Sequence, residues 1–368
     1  MRILPVIFIV AVFIISSCIK ENTTLNQKEQ DLSETLLLSH YKPNSIYQIP
    51  KTQIEKPKFP VIDVHSHAYA RNEEQIAQWV RRMDSLGIRK TIVLSKSTGA
   101  QFDSIYAVYS KYPDHFDVWC GFDYTGYDQP GYGPAAVAEL ERCFKVGAKG
   151  VGELGDKGNG MAYSTPGPKA VGMHIDDPRM DPLLEKCAEL GMPINIHVAE
   201  PIWMYEPMDS TNDGLMNAYE WRRDNKDDEL KHSGLINTLE NAVKKHPETV
   251  FIACHFANCS HDLNILGKLL DKYPNLYADN AARYAETAPI PRFVKTFYEK
   301  YQDRLLYGTD MGLSRSMYKV TFRILESQDE HFYEQDQFGY HWALNGFGLS
   351  DDVLAKVYSK NAKQILGL

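Results

Sequence analysis

From Pro60 onward the chain alternates short apolar runs with longer stretches whose apolar residues recur every three or four positions. The short runs predict strands at Val61–His65, Lys90–Leu94, Phe116–Phe122, Gly147–Leu154, Pro193–Val198, Val250–His255, Leu276–Asn280 and Leu305–Asp310. Thr91–Leu94 and Val250–Ala253 are nearly continuous in apolar residues, as parallel strands covered on both faces must be. The 3.6-residue pattern predicts helices at Glu73–Leu86, Ala135–Val146, Pro182–Leu190, Leu235–Lys245 and Leu263–Tyr273. Asp181-Pro182 and Ser260 serve as expected helix starts, and Gly87, Gly147 and Gly191 as expected stops. Strands and helices alternating in this way predict a (β/α)8 TIM barrel, an α/β fold, ahead of a doubly wound open sheet.

The N-terminus breaks the pattern. Met1–Ser17 carries one early positive charge, Arg2, then an apolar run from Ile3 to Ile15, then small residues. That run is short for a membrane span and has the build of a secretion signal. Ile15-Ser-Ser-Cys18 resembles a bacterial lipobox, which implies lipidation of Cys18 and a cell-envelope location, periplasmic or surface-exposed. An uncleaved N-terminal anchor is the alternative. Residues 18–58 are polar and read as a tether, leaving 59–368 as one catalytic-size domain.

Composition narrows the partners. The chain has 368 residues, 43% of them hydrophobic, ample for a sizeable core. Loss of residues 1–17 removes Arg2 and takes the formal charge from −8 to −9, so no nucleic-acid partner is expected and a small-molecule substrate is. Cys120, Cys143, Cys187, Cys254 and Cys259 are scattered through apolar segments, which predicts buried thiols rather than a disulfide framework. The sequence carries no sign of oligomeric state.

In a (β/α)8 barrel the chemistry gathers where strands end. Strand 1 ends in His65 and His67, strand 4 in Glu153, strand 5 in His197, strand 6 in His255 and strand 8 in Asp310. Four imidazoles and two carboxylates on one rim are a donor set for a divalent metal, one or two ions, with zinc first and manganese or iron as alternatives. Each could instead hydrogen-bond a loop, and Glu153 could pair with Lys149 or Lys157. Arg283, after strand 7, is either a clamp for a substrate acid or a surface salt bridge. Trp203 and Tyr205 open an aromatic-rich segment, 203–228, that is either a lid contacting substrate or a packing insertion. His174, just past the Gly-rich stretch 155–172, reads as a surface histidine, and that stretch lacks the Lys-Ser/Thr ending of a phosphate loop.

This pattern, with Ile62-Asp-Val-His-Ser-His67 and Leu306-Tyr-Gly-Thr-Asp310, resembles the amidohydrolase superfamily, and most closely its amidohydrolase-related branch of metal-dependent hydrolases and decarboxylases. The resemblance runs from Phe59 to Leu368. It implies that His65 and His67 bind one metal with His197 or Asp310 nearby, and that His255 ligates a second metal or contacts substrate. Glu153 departs from the branch's mononuclear pattern and resembles the bridging glutamate of TatD-type deoxyribonucleases, in which case His197 and His255 hold a second ion. The implied reaction is hydrolysis of an ester, lactone or amide with Asp310 as general base. Decarboxylation of a small carboxylic acid is the alternative, ahead of a phosphodiesterase or a non-catalytic binding lipoprotein.

Overall fold

The computed structural model describes residues 34–217 and 229–368. The expected signal segment and Cys18 lie outside the described residues, as do Tyr219 and Trp221 of the aromatic segment. The chain divides into two compact units, Met1–Pro43 and Asn44–Leu368. The described part of the first includes a short 3-10 turn, Leu38–His40.

Among the described residues the second unit is built on ten strands: β1 Val61–Ser66, β2 Ile88–Leu94, β3 Phe116–Trp119, β4 Val151–Asp156, β5 Gly160–Ala162, β6 Ala170–Val171, β7 Ile194–Val198, β8 Phe251–Ala253, β9 Leu276–Asp279 and β10 Leu305–Leu306. Parallel pairing joins β1 to β2 to β3, and separately β4 to β7 to β8 to β9 to β10. Two seams close the ring. Gly152 N donates to Cys120 O at 2.8 Å between β3 and β4, and Val64 N donates to Tyr307 O at 2.9 Å between β10 and β1. The result is the expected eight-stranded TIM barrel. β5 and β6 form an antiparallel hairpin beyond β4, within the Gly-rich stretch.

Side chains alternate between two apolar layers, as strand geometry requires. Ile62, Val64, Ile92, Leu94, Ile252 and Leu306 fill the barrel interior, and Ala362, Ile365 and Leu366 of the C-terminal helix pack against them. That helix is tied to the N-terminal ends of the strands by Asn361 Nδ2, which donates to Leu305 O at 2.8 Å. The larger layer lies between strands and outer helices. Glu73–Leu86 shows how the sequence builds it. Asn72 accepts from Gln75 N at 3.0 Å, Glu73 and Glu74 sit in the positively polarised first turn, and Ile76, Trp79, Met83 and Leu86 are buried on one face. Gly87, left-handed at φ 79°, ends it.

The structure differs from the sequence reading in three respects. The helix cap before Leu263 is Asp262, whose carboxylate accepts from Asn264 N, rather than Ser260, and Asp181 is the first helical residue rather than the cap. Helices at Gly99–Tyr109, Pro291–Tyr301 and Arg315–Glu326 lie outside the expected set; the first buries only Phe102 and Tyr109, so its apolar face is sparse, whereas the other two bury regular faces built on Val294, Phe297 and Tyr298 and on Met317, Val320 and Ile324. The polar tether does not run on to residue 58. Thr52 binds Asp329 through N and Oγ1 at 2.8 and 2.6 Å, and Lys58 N donates to Glu326 at 3.1 Å, so 44–58 is fastened to the barrel unit.

The candidate metal centre

The strand tips bring all six expected ligands together. His65 and His67 stand at the end of β1, where the β1–β2 register is irregular between Asp63 and Ser66. Glu153 stands at their centre. Its Oε1 lies 2.9 Å from His197 Nδ1, 3.4 Å from His255 Nε2 and 3.8 Å from His65 Nε2. Its Oε2 lies 3.6 Å from His67 Nε2. Asp310 Oδ1 approaches from β10, 3.0 Å from His67 Nε2 and 3.8 Å from His65 Nε2.

Three of the four rings are oriented from behind. His65 Nδ1 contacts Asp279 Oδ2 at 2.9 Å, His67 Nδ1 contacts Leu94 O at 2.9 Å, and His255 Nδ1 contacts Ala281 O at 2.8 Å. An N–H donated backwards fixes the tautomer and leaves Nε2 as a lone pair facing the centre, the arrangement metal-ligating histidines use. His65 Nε2 is buried without a hydrogen-bond partner. His197 is turned the other way, Nδ1 inward and Nε2 lying 3.4 Å from Glu200 Oε2. A buried imidazole nitrogen left open beside two carboxylates, in a set of N and O donors, fits a divalent cation. His65, His67 and Glu153 form one group that could hold an ion, and Glu153, His197 and His255 form another.

Electrostatics follow from the crowding. Burial opposes ionisation of Glu153, but Lys96, His197 and His255 outweigh it and hold the carboxyl well below its usual range. Burial also opposes charge on His65, yet Asp279, Asp310 and Glu153 lift it to about 9, whereas burial pushes His255 down to about 4. Asp310 is held below the usual carboxylate range by His67 and His65 against the effect of burial.

Several participants escaped the sequence reading. The cation beside Glu153 is Lys96, at 2.7 Å, not Lys149 or Lys157. Lys157 pairs with Glu200 instead. Asp279, buried at the end of β9, accepts from Asn195 Nδ2 at 3.1 Å and His255 N at 2.9 Å as well as holding His65. Asp63 joins β1 to the strand-8 loop, accepting from Thr309 Oγ1 at 2.6 Å and Tyr318 Oη at 2.7 Å. Two glycines make room. A Cβ on Gly152 (φ 156°) would lie 2.9 Å from Asn195 Cβ, and one on Gly308 would lie 2.8 Å from His65 Cβ. His174 is not simply at the surface: it is partly buried, with Nδ1 2.6 Å from Asp156 Oδ2.

The residues read as substrate contacts are placed as follows. Arg283 is buried, its Nε donating to Asn258 Oδ1 at 3.0 Å and its Nη1 3.6 Å from Glu286 Oε1, rather than in a surface salt bridge. Trp203 is buried with Met204, and Gly214 packs against its ring. Tyr205 Oη accepts from Glu200 N at 3.1 Å and so braces the loop beside His197. All five cysteines after Cys18 are free and buried.

A (β/α)8 barrel with a histidine–carboxylate centre on its strand tips defines a class, and the sequence model of the amidohydrolase family matches residues 62–368. The chain belongs to that family and is a metal-dependent enzyme. Similar solved structures include an uncharacterised TIM-barrel protein from Bordetella bronchiseptica, 16% identical with TM-score 0.54, covering 84% of this chain and 99% of that one. Another is 5-carboxyvanillate decarboxylase from Novosphingobium aromaticivorans, solved with manganese and 4-hydroxy-3-methoxy-5-nitrobenzoic acid. It is 14% identical with TM-score 0.52, covering 87% of this chain and 100% of that one. At these identities the likeness is one of fold. No curated protein matches the sequence.

Proposed function

We propose that the protein hydrolyses a small-molecule ester, lactone or amide at a two-ion centre bridged by Glu153. The observation that carries this reading is the two-sided environment of that carboxylate, with Oε1 toward His197 and His255 and Oε2 toward His67. His65 and His67 would hold one ion and His197 and His255 the other, with zinc the first candidate and manganese or iron the alternatives. A divalent ion held by these residues would supply Lewis-acid chemistry, bringing a bound water toward neutral ionisation and polarising a carbonyl. Asp310, ionised and partly exposed, takes the proton from the attacking water and delivers it to the leaving group. Tyr69 Oη donates to Asp310 O and fixes the loop that carries the base. Lys96 balances the charge of Glu153.

Decarboxylation of a small acid is the second reading, as the name of the Novosphingobium neighbour states for that protein. It is favoured by Lys96, a partly exposed cation beside the centre that can orient a carboxylate, and disfavoured by the engagement of Arg283 with Asn258. The test is metal content per chain of the barrel unit and of Glu153→Gln, beside a panel of esters, lactones, amides and aromatic acids. Two equivalents falling to one or fewer, with hydrolytic turnover, is expected. One equivalent unchanged by the substitution, with carbon dioxide released, would replace hydrolysis by decarboxylation.

A further inference from the structure

His255 reaches the centre from a backbone that L-residues avoid. His255, Phe256, Ala257 and Asn258 have φ of 57, 54, 52 and 56°, four left-handed residues in succession with no glycine among them. Each Cβ in that conformation crowds the following carbonyl, so such a turn survives only where its surroundings over-determine it.

Those surroundings converge on Asn258. Its Nδ2 donates to Val198 O at 2.9 Å and Ala199 O at 3.2 Å, its carbonyl faces His232 Nε2 at 2.9 Å, and its Oδ1 accepts from both Nε and Nη2 of Arg283. Arg283 is itself anchored, with Nη1 donating to Ala282 O at 3.1 Å and facing Glu286, which accepts from Tyr340 Oη at 2.7 Å. At the other end of the turn, His255 N donates to Asp279 Oδ1 at 2.9 Å.

We infer that Arg283 and Asn258 form a clasp that imposes the left-handed turn and thereby aims His255 Nε2 at Glu153. Arg283 is then a positioning residue for the metal centre and does not touch substrate. A guanidinium suits the task because its planar fork puts two N–H groups on one oxygen, which fixes the Asn258 amide so that its Nδ2 meets the end of β7. The inference rests on the two-ion reading above, and its test separates the two.

Two readouts follow Arg283→Met, with Arg283→Lys, which keeps a cation but not the fork, taking its place if Arg283→Met does not fold. The first is metal titration of the holoprotein. The ion held by His197 and His255 is expected to weaken about 10–100-fold while the ion on His65 and His67 stays. The second is the His255 imidazole NMR resonances of the metal-free chain, which should move. Adding Ala257→Gly, which relieves the left-handed backbone, should recover about tenfold of the lost affinity and return the resonances toward wild type. Unchanged affinity and resonances, equal loss of both ions, or no recovery with glycine would overturn the clasp. A wild-type chain that binds no ion would overturn the metal reading, and the resonances would still decide the clasp.

Discussion

The centre has a deep wall and an outer lip, and they are built differently. On the wall, His65, Glu153, His197 and His255 have side chains no more than 8% exposed; His65 is backed by Asp279, His255 by the Ala281 carbonyl and Glu153 by Lys96, while His197 turns Nδ1 inward to Glu153. On the lip, His67 and Asp310 are 17% and 30% exposed, and Asp310 sits on a left-handed residue (φ 64°) at a loop start. Buried donors give an ion a fixed seat, because burial makes unpaired polar atoms costly and so forces a single arrangement. The proton acceptor must meet solvent and substrate, so it stands where the wall ends. Binding and proton transfer are therefore separable, and substitutions can pull them apart.

The sharpest separation is Asp310→Asn. Turnover is expected to fall about 10²–10⁴-fold, with metal content and thermal midpoint close to wild type. Parallel loss of activity and metal would put Asp310 on the wall instead. Asp279→Asn attacks the other side. It weakens the backing of His65, and metal affinity should drop about 10–100-fold before turnover at saturating metal changes. An isothermal titration that gave wild-type affinity would show that His65 needs no carboxylate behind it. Gly308→Ala crowds His65 from below, where the new Cβ would lie 2.8 Å from its own Cβ. Denaturant unfolding should show a loss of about 1–3 kcal/mol, and an unchanged midpoint would mean the wall can give way.

The smallest effect tests the flank of the wall at Asp156. His174 is raised above its ordinary value, first by its hydrogen bond to Asp156, with burial opposing. A raised histidine contributes stability that is fully present below its unfolded value, about 6.5, and is lost as pH rises through the folded one. His174→Gln should therefore cost about 0.5 kcal/mol at pH 6 and less at pH 9. Equal costs at both pH values would remove the charge from that pair.

Much of this was legible before the fold was known, and the reason is positional. His65, His67, Glu153, His197, His255 and Asp310 close short apolar runs, and a barrel places every such residue on one rim. The wall's backing was not legible. Asp279 closes an ordinary strand, Lys96 and Glu200 are charged residues just past strand ends, and nothing local separates them from solvated loop residues. Arg283 failed in a more instructive way. Its sequence neighbours suggest a loop cation, and only the approach of Asn258, 25 residues earlier, shows that its guanidinium is engaged inside the protein. The hairpin of β5 and β6 was equally hidden, since strands of three and two residues are too short to display alternation.

The helix Asn361–Leu366 beneath the barrel has a consequence for traffic. Ala362 and Leu366 pack against an interior already filled by Ile62, Val64, Ile92, Leu94, Ile252 and Leu306, so the centre meets solvent on its lip side, at His67 and Asp310. Arrival and departure share one doorway past Asp310 and His67. The spent molecule blocks the fresh one, and inhibition by product should be competitive with substrate.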